Sequence, residues 1–572
     1  MNSKVHFTGP NIFYIFLAIW GMLSLVQSFF TPLHNDEAYY WMYSQYPAWG
    51  YYDHPPMIAL MIGAGYLLLH NELGVRLIVV LSHLATLFIV WMMIGKEIKA
   101  KPGNVLIMIC IIAILPVINI YSFLATPDPP LLFFTAVFLL FYKKFLKNES
   151  WLNSLFLGFA MAGLMYSKYH GALLIIIVIM SNLKLFRNPR FYIAVMFSLI
   201  LFLPHILWQI SNDFPSLKYH LAERVSGFDA VNIPEYLLNQ ILIHNPLILP
   251  LFLYLIIKSK PGEAFNKGLK YSVIGVFAFF FIASFRYHIE PQWTAIVTIP
   301  MVILIFNDNR IYSMSKFLRT AFIVLIPLFL FARSTLAVDF LPISFLKKEF
   351  HDNPARMKAI SELAEDKPVV FTNSYQDPSL YSFYTGKFAH SLNNKNYRRT
   401  QYDLWPFEEK IHGKEVIYIP HWLNDYYRSH LSVKFLSDRD SIYCRIFRDF
   451  QSLQRECVII DDTLWRFTKE SENVINLKIF NPYPYVLDIS HPELPVIFQA
   501  AFYDKYGILN EKYNLELSPP LTLLNPGDTV SVSCRFRTDR MTEGKYKLVI
   551  LSEAGILYDT FISSFREVLI IP

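Results

Sequence analysis

Long apolar runs separated by short polar loops fill roughly the first 340 residues. The runs fall at 11–30, 73–95, 104–122, 130–142, 151–167, 171–183, 191–209, 236–257, 271–285, 293–306 and 317–337. A helix that crosses a bilayer needs about 20 mainly apolar residues. Several runs are short by that standard, notably 130–142, 171–183 and 293–306, and imply tilt, broken helices or partial immersion. The pattern predicts a polytopic α-helical membrane domain over 1–340 with about 11–13 transmembrane helices. The first run follows only Lys4 and carries no small-residue cleavage site, so it reads as a retained helix and not a signal peptide.

Beyond residue 340 the periodicity changes. From 341 to 453 apolar strands alternate with helix-like stretches. Val369-Val370-Phe371 runs into the turn-rich Thr372-Asn373-Ser374, and Val416-Ile417-Tyr418-Ile419 runs into Pro420, a pattern that predicts an α/β domain. From 454 to 572 short alternating strands with turn punctuation predict a β-sandwich of immunoglobulin-like type, with strands over 474–480 and 530–536 flanking Asn481-Pro482 and Asn525-Pro526-Gly527-Asp528. Cys444, Cys457 and Cys534 lie in this region and leave room for one disulfide, with the pairing open.

Composition sharpens this picture. Of 572 residues, 54% are hydrophobic and only 17% charged, and mean hydropathy is +0.33. That excludes an ordinary soluble globule, a disordered chain and, with four cysteines, a disulfide-rich scaffold. The net charge of +6 is modest and gives no reason to expect a nucleic-acid partner; the partner implied is the lipid bilayer. Lys and Arg concentrate in alternate loops: Lys96, Lys99 and Lys101; Lys143, Lys144 and Lys147; Lys184, Arg187 and Arg190; Lys258, Lys260, Lys267 and Lys270; Arg310, Lys316 and Arg319. The other loops hold none over 31–72 and 123–129, then only Lys168, Lys218, Arg224 and Arg286. The positive-inside bias therefore predicts a multi-pass protein of the inner (plasma) membrane with a cytoplasmic N-terminus and periplasmic or extracellular C-terminal domains.

The cation-poor loops carry the candidate chemistry. The first reads His34-Asn35-Asp36-Glu37-Ala38-Tyr39-Tyr40-Trp41 and then Gly50-Tyr51-Tyr52-Asp53-His54-Pro55-Pro56; with Glu72 it holds four acids and no cation. Asp128 stands among prolines, Lys168 precedes Tyr169-His170, His244 opens a span, and Arg286-Tyr287-His288-Ile289-Glu290 precedes Trp293. Ionisable groups at a bilayer are costly and mark function when they cluster. Each residue also has a structural reading. Asp36 and Glu37 cap a helix, Asp53 and Asp128 set turns into helices, Lys168 and Arg286 snorkel, and Tyr39 and Tyr52 join an interfacial belt. Lys168 and Arg286, beside apolar spans, suit a lipid phosphate, which Arg can clamp bidentately.

The paired motifs Asp36-Glu37-Ala38-Tyr39-Tyr40-Trp41 and Gly50-Tyr51-Tyr52-Asp53-His54-Pro55-Pro56 resemble those of bacterial polyprenyl-phosphate-sugar-dependent glycosyltransferases of the GT-C superfold. The nearest group comprises the aminoarabinose transferases and relatives of protein O-mannosyltransferases. The resemblance covers roughly residues 1–340. It implies a membrane enzyme that moves a sugar from a polyprenyl-phosphate donor to an extracytoplasmic acceptor: a lipid A, polysaccharide or protein. By the same resemblance Asp36 is the general base, with Glu37 and Asp128 beside it in the catalytic group. Asp53 and His244 match positions that hold a divalent metal in relatives, which would be Zn, Mn or Mg. Tyr39, Tyr52, His54, His170, His288 and Glu290 are the candidates for contact with acceptor and sugar. Aminoarabinose transferases carry Glu-Lys before the paired prolines where this chain has Asp53-His54, so their sugar specificity does not carry over.

The chemistry agrees. A lipid-linked sugar is available outside the cytoplasm where a nucleotide sugar is not. Lys168 or Arg286 would stabilise the departing phosphate, and one base opposite the leaving group gives inversion. The competing function is a flippase or transporter of a lipid-linked glycan, which would place its ionisable groups near the bilayer midplane and repeat its halves.

Overall fold

The computed structural model describes residues 8–220, 228–421, 428–437, 440–460 and 465–572, and the chain divides into two compact units, 1–353 and 354–572. Lys4 and Arg224 lie outside the described residues.

The first unit is helical: α1 (Gly9–Phe30), α2 (Asn35–Gln45), α3 (Met57–Tyr66), α4 (Glu72–Met92), α5 (Lys96–Lys99), α6 (Pro102–Ile114), α7 (Pro116–Ile120), α8 (Asp128–Lys147), α9 (Trp151–Ser167), α10 (His170–Met180), α11 (Pro189–Ser211), α12 (Pro215–Lys218), α13 (Asn232–Ile243), α14 (Ile248–Lys258), α15 (Ala264–Ala283), α16 (Thr298–Phe306), α17 (Asn309–Ser313) and α18 (Ser315–Ala337). Among the described residues six helices are long and apolar enough to cross a membrane: α1, α4, α8, α11, α15 and α18. The remaining predicted runs are shorter or broken, each for a local reason. Pro116 lacks an N–H to continue α6, so the run 104–122 splits. The run 236–257 bends by 96° between α13 and α14, where Asn245 adopts a left-handed φ of 76° before Pro246. The run 293–306 starts as a tight turn over Pro291–Val297 before α16.

Helix α8 is the most enclosed of the long helices, whereas α11 and α18 expose most of their apolar surface, including Ile200, Leu203, Ile323 and Val324. Exposed apolar stripes of this size suit contact with lipid. Helices approach closely where side chains are small: a Cβ on Gly158 of α9 would lie 2.5 Å from the Ala194 carbonyl of α11. The two ends of the bundle differ in charge. At one end the basic loops are tied together: Lys143 Nζ donates to Met93 O (3.3 Å), Gly95 N to Asn307 Oδ1 (2.9 Å), Lys270 Nζ to Ser259 O (2.8 Å) and Arg310 Nη2 to Leu255 O (3.1 Å). Helices of about 20 residues put the other end about 30 Å away, and there the acid-bearing loops meet.

After the short α19 (Ser344–Leu346), α20 (Asn353–Ala364) leads into the second unit. Its α/β part holds β1 (Val369–Thr372), α21 (Gln376–Thr385), β2 (Ala389–Leu392), α22 (Glu408–Ile411), β3 (Val416–Ile419), β4 (Ser432–Ser437) and β5 (Asp440–Phe447). The sheet runs β2-β1-β3-β5-β4; the first three strands are parallel, and β5 and β4 are antiparallel additions. The remainder forms a six-stranded, a four-stranded and a two-stranded sheet. Strand Glu472–Phe480 alternates strictly, burying Ile475, Leu477 and Ile479, and pairs antiparallel with Thr529–Arg537. The edge strand Trp465–Thr468 instead pairs parallel with Arg566–Ile571. One apolar cluster runs from Val370, Tyr418 and Phe447 to Phe498, Val532 and Leu548, so the α/β and sandwich regions share a core. Cys444, Cys457 and Cys534 are buried and free, so the disulfide allowed by the sequence does not form.

Candidate active site

The first acid-rich motif becomes α2, and its two acids point different ways. His34 is the N-cap: its Nδ1 accepts from Asp36 N (3.1 Å), and Glu37 Oε2 accepts from His34 N (3.0 Å) in a capping box. Glu37 then turns into the bundle, where Oε1 accepts from Arg76 Nε (2.8 Å) and Ala125 N (2.7 Å), while Arg76 Nη2 donates to Oε2. Arg76 also donates to the carbonyls of Ser28 (3.1 Å), Thr31 (2.5 Å) and Pro32 (2.9 Å). Neither side chain of the pair is exposed. Glu37 therefore holds the loop before α8 against α1, α2 and α4. At about 100° per residue, Asp36, Tyr40 and Tyr43 share a different face of α2. Asp36 is half-buried there.

That face meets the second motif. The Tyr43 hydroxyl donates to Asp53 Oδ1 (2.5 Å), the Tyr43 and Tyr51 rings stack at 4.0 Å, and Tyr40 meets the His54 ring edge-on at 5.6 Å. Burial first, then the Asp53 carboxylate, pushes the Tyr43 phenol well above its ordinary value, so it remains a donor. Tyr39 packs on Tyr43 (4.7 Å) and Tyr52 on Tyr219 (5.5 Å). Gly50 is required: a Cβ there would lie 2.4 Å from the Trp208 ring and 2.9 Å from His205 Nδ1.

The end of α11 ties this loop to the α9–α10 junction. His205 Nδ1 donates to Trp49 O (2.7 Å), which fixes the tautomer and leaves Nε2 to accept from the Tyr169 hydroxyl (3.1 Å). Gln209 Nε2 donates to the Tyr169 hydroxyl (3.0 Å) and to Ser216 Oγ (2.7 Å), and Ser216 Oγ donates to Tyr51 O (3.0 Å). His220 Nε2 donates to Asp53 O (3.2 Å), and its ring lies 5.6 Å from that of Tyr169. Next to Tyr169, Lys168 caps α9 and donates from Nζ to Asp128 Oδ1 at 2.8 Å, both groups buried. Asp128 opens α8, where the helix dipole favours a carboxylate. Asp128 and Lys168 are thus each other's counter-ions. His170 packs against Phe280 (5.1 Å) and Trp293 (5.2 Å).

The structure brings Asp36, Tyr39, Tyr52, Asp53, His54, Asp128, Lys168 and His170 to one end of the bundle. Other sequence candidates sit differently. Arg286 is exposed in the turn that closes α15, and His288 faces Glu235 of α13 (3.3 Å) and Glu290 (3.9 Å). His244 is buried with Nε2 3.4 Å from the Thr294 hydroxyl and Nδ1 3.5 Å from that of Thr298. The implied metal does not fit. Both His244 nitrogens face threonines, Asp53 receives the Tyr43 hydroxyl, and no group of three or more His, Cys, Asp or Glu is gathered among the described residues. No step is assigned to a metal.

Sequence reading missed Arg76, His205, Gln209, Ser216 and His220, all of which position this end. It also missed Arg333 of α18, which donates to Ser122 Oγ (3.1 Å). Arg333 and Arg76 lie 5.3 and 5.7 Å from the Phe123 ring, clamping the segment before Asp128. The signal was present for the two arginines: a lone cation inside an apolar run demands a partner.

The sequence family described as dolichyl-phosphate-mannose-protein mannosyltransferase matches residues 53–208, from Asp53 to Trp208. ArnT from Cupriavidus metallidurans, in its apo crystal structure, superposes with a TM-score of 0.56 at 14% identity, over 76% of this chain and 98% of that one. The chain is built on the GT-C glycosyltransferase fold. The crystal structure of ArnT bound to undecaprenyl phosphate gives a TM-score of 0.54 at 15% identity, over 76% of this chain and 97% of that one. The lipid A galacturonosyltransferase RgtD of Rhizobium johnstonii is 28% identical over 202 residues, 33% of this chain and 41% of that relative. The chain therefore matches less than half of that relative's length. The matched family segment contains Asp53, Asp128, Lys168 and His205 and starts after Asp36.

Proposed function

We propose that this chain is a glycosyltransferase that moves a sugar from a polyprenyl-phosphate donor to an acceptor outside the cytoplasm, at the acid-bearing end of its helical unit. The observation that carries the reading is the shared face of α2: Asp36, Tyr40 and Tyr43 line up there, with Asp53 and His54 held against the two tyrosines. Asp36 takes the proton of the acceptor hydroxyl as its oxygen bonds to the anomeric carbon. The bond to the phosphate oxygen breaks with its electron pair, releasing polyprenyl phosphate, and the anomeric configuration inverts. Lys168, already positioned by Asp128, supplies positive charge for the leaving phosphate. Asp53 holds the aromatic wall through Tyr43. The positive-inside bias puts this end away from the cytoplasm, in the inner membrane. The undecaprenyl phosphate bound to ArnT and the lipid A acceptor in the name of RgtD support a lipid-linked donor and an envelope acceptor.

The test uses the purified full chain with polyprenyl-phosphate sugars and envelope fractions, reading release of polyprenyl phosphate. Asp36→Asn should abolish release while leaving the melting temperature unchanged. A fully active Asp36→Asn enzyme, or lipid translocation without any release, refutes the proposal.

A further inference from the structure

At the basic end of the bundle, opposite the candidate active site, α10 and α15 enclose a groove of about 380 Å³. The two helices run antiparallel: His170 meets Phe280 at one end, Ile177 lies against Gly275, and Ser181 lies against Gly268 at the other. Their close approach depends on glycine. A Cβ on Gly275 would lie 3.1 Å from Ile177 Cδ1, and one on Gly268 would lie 3.5 Å from Ser181 Oγ. Two missing side chains, seven residues or about two turns apart, hollow one face of α15.

The groove has an apolar floor and a basic rim. From α10 it takes Ile176 and Met180, which are 57% and 58% exposed. From α15 it takes Lys267, Tyr271 and Gly275, which recur every fourth residue and so form one stripe about 12 Å long. Lys267 is exposed, with its Nζ 5.7 Å from the Tyr271 ring. The helices that build the groove bring no acid: none occurs from 151 to 212, which contains α10, and none occurs in α15. The turn Leu183–Arg187, just after Ser181, adds exposed Lys184 and Arg187. Among the described residues no acid pairs with Lys267, Lys184 or Arg187, Glu263 one turn before Lys267 included.

We infer that this groove is a binding site for one anionic phospholipid of the cytoplasmic leaflet, with the lipid phosphate on Lys267 and one acyl chain laid between α10 and α15. A lysine is a compact point charge on a long flexible stem, which suits a phosphate at headgroup depth, and basic pockets between spanning helices on the cytoplasmic side take anionic headgroups. Tyr271 stands below the lysine with its ring against the chain, as aromatic residues do at a bilayer interface. An apolar groove alone would accept any lipid. The unbalanced lysine sets the preference, because a choline headgroup brings a cation of its own to the same rim. The inference needs the helical unit to lie in a membrane, with its basic end inward, and does not rest on sugar transfer.

The experiment is native mass spectrometry of the full chain in detergent, reading the first lipid bound on titration with dioleoyl phosphatidylglycerol or dioleoyl phosphatidylcholine. The parent should bind phosphatidylglycerol at least about fivefold more tightly than phosphatidylcholine. Lys267→Gln should weaken phosphatidylglycerol by about fivefold, close to 1 kcal/mol, and leave phosphatidylcholine unchanged. Gly275→Leu, which fills the groove, should weaken both lipids. Lys316→Gln, at an exposed lysine in the first turn of α18 at the same end, should change neither. Glycerol 3-phosphate, which offers the anion without the chains, should displace neither. Equal affinity for the two lipids, undiminished phosphatidylglycerol binding by Lys267→Gln, an equal loss in Lys316→Gln, or displacement by glycerol 3-phosphate overturns the inference. Lys267 is exposed, so its variant decides the matter if Gly275→Leu misfolds. Polyprenyl phosphate release plays no part in the readout, so failure here is separate from failure of the transfer proposal.

Discussion

Removing Arg76 tests whether Glu37 is a structural acid or a reacting one. In Arg76→Met the Glu37 carboxylate stays buried with two backbone donors and no counter-ion. Breaking one side of a buried pair costs about 3–5 kcal/mol, and the carbonyls of Ser28, Thr31 and Pro32 lose their donor as well. At about 2 °C per kcal/mol for a large domain, the melting temperature should fall by roughly 8 °C. The double variant Glu37→Gln/Arg76→Met removes both charges, so it should recover part of that loss, with a coupling of at least about 1.5 kcal/mol. The assay is thermal unfolding of the four proteins of the cycle in one detergent, paired with polyprenyl phosphate release below the melting range. Glu37→Gln alone should lose stability but retain most of its transfer activity. An Arg76→Met protein as stable as the parent refutes the structural argument. Glu37→Gln that abolishes release at an unchanged melting temperature refutes the division of roles between Glu37 and Asp36.

Gly50→Ala places a methyl inside contact distance of Trp208 and His205; it should cost about 1–3 kcal/mol and slow release, and Trp208→Ala in the same protein should restore part of both. Unfolding of the second unit should show the ion pair of Asp377 with Arg356 (3.3 Å): a carboxyl depressed to about 2 contributes stability that is fully present above about pH 4 and is lost as pH falls toward 2, and Asp377→Asn should flatten that part of the stability profile. Because Cys444, Cys457 and Cys534 are free, a reducing agent should leave the melting temperature unchanged; a fall of several degrees would reveal a disulfide.

Helices α1, α4, α11 and α18, strands β1 and β3 and the paired sandwich strands were legible because each rests on a local signal: an apolar run of spanning length, a short β-branched run before a turn, or strict alternation; α8 and α15 extend past the runs 130–142 and 271–285 through lysine-bearing turns that an apolar window leaves out. The breaks at Pro116 and at His244-Asn245-Pro246 were less legible, since an averaged apolar window passes over a single proline or a left-handed asparagine. The site divides the same way. Asp36, Asp53 and Lys168 stood out because polar residues crowd loops that hold little else. Arg76, His205, Gln209 and Arg333 stayed hidden because each sits singly within or at the end of an apolar run, where hydropathy outweighs charge. Yet the first loop itself contained the missing clue. Acids with no cation from 31 to 72 cannot all be buried at a membrane face without a counter-ion from elsewhere, and the nearest cation is Arg76, one turn into the following helix. Charge balance across a loop–span boundary therefore calls for a bundle cation beside one of these acids, and the structure shows that acid to be Glu37. Asp36, one position earlier and about 100° around the helix, shares its face with Tyr40 and Tyr43, and the exchange Asp36→Asn tests the role of base proposed for it.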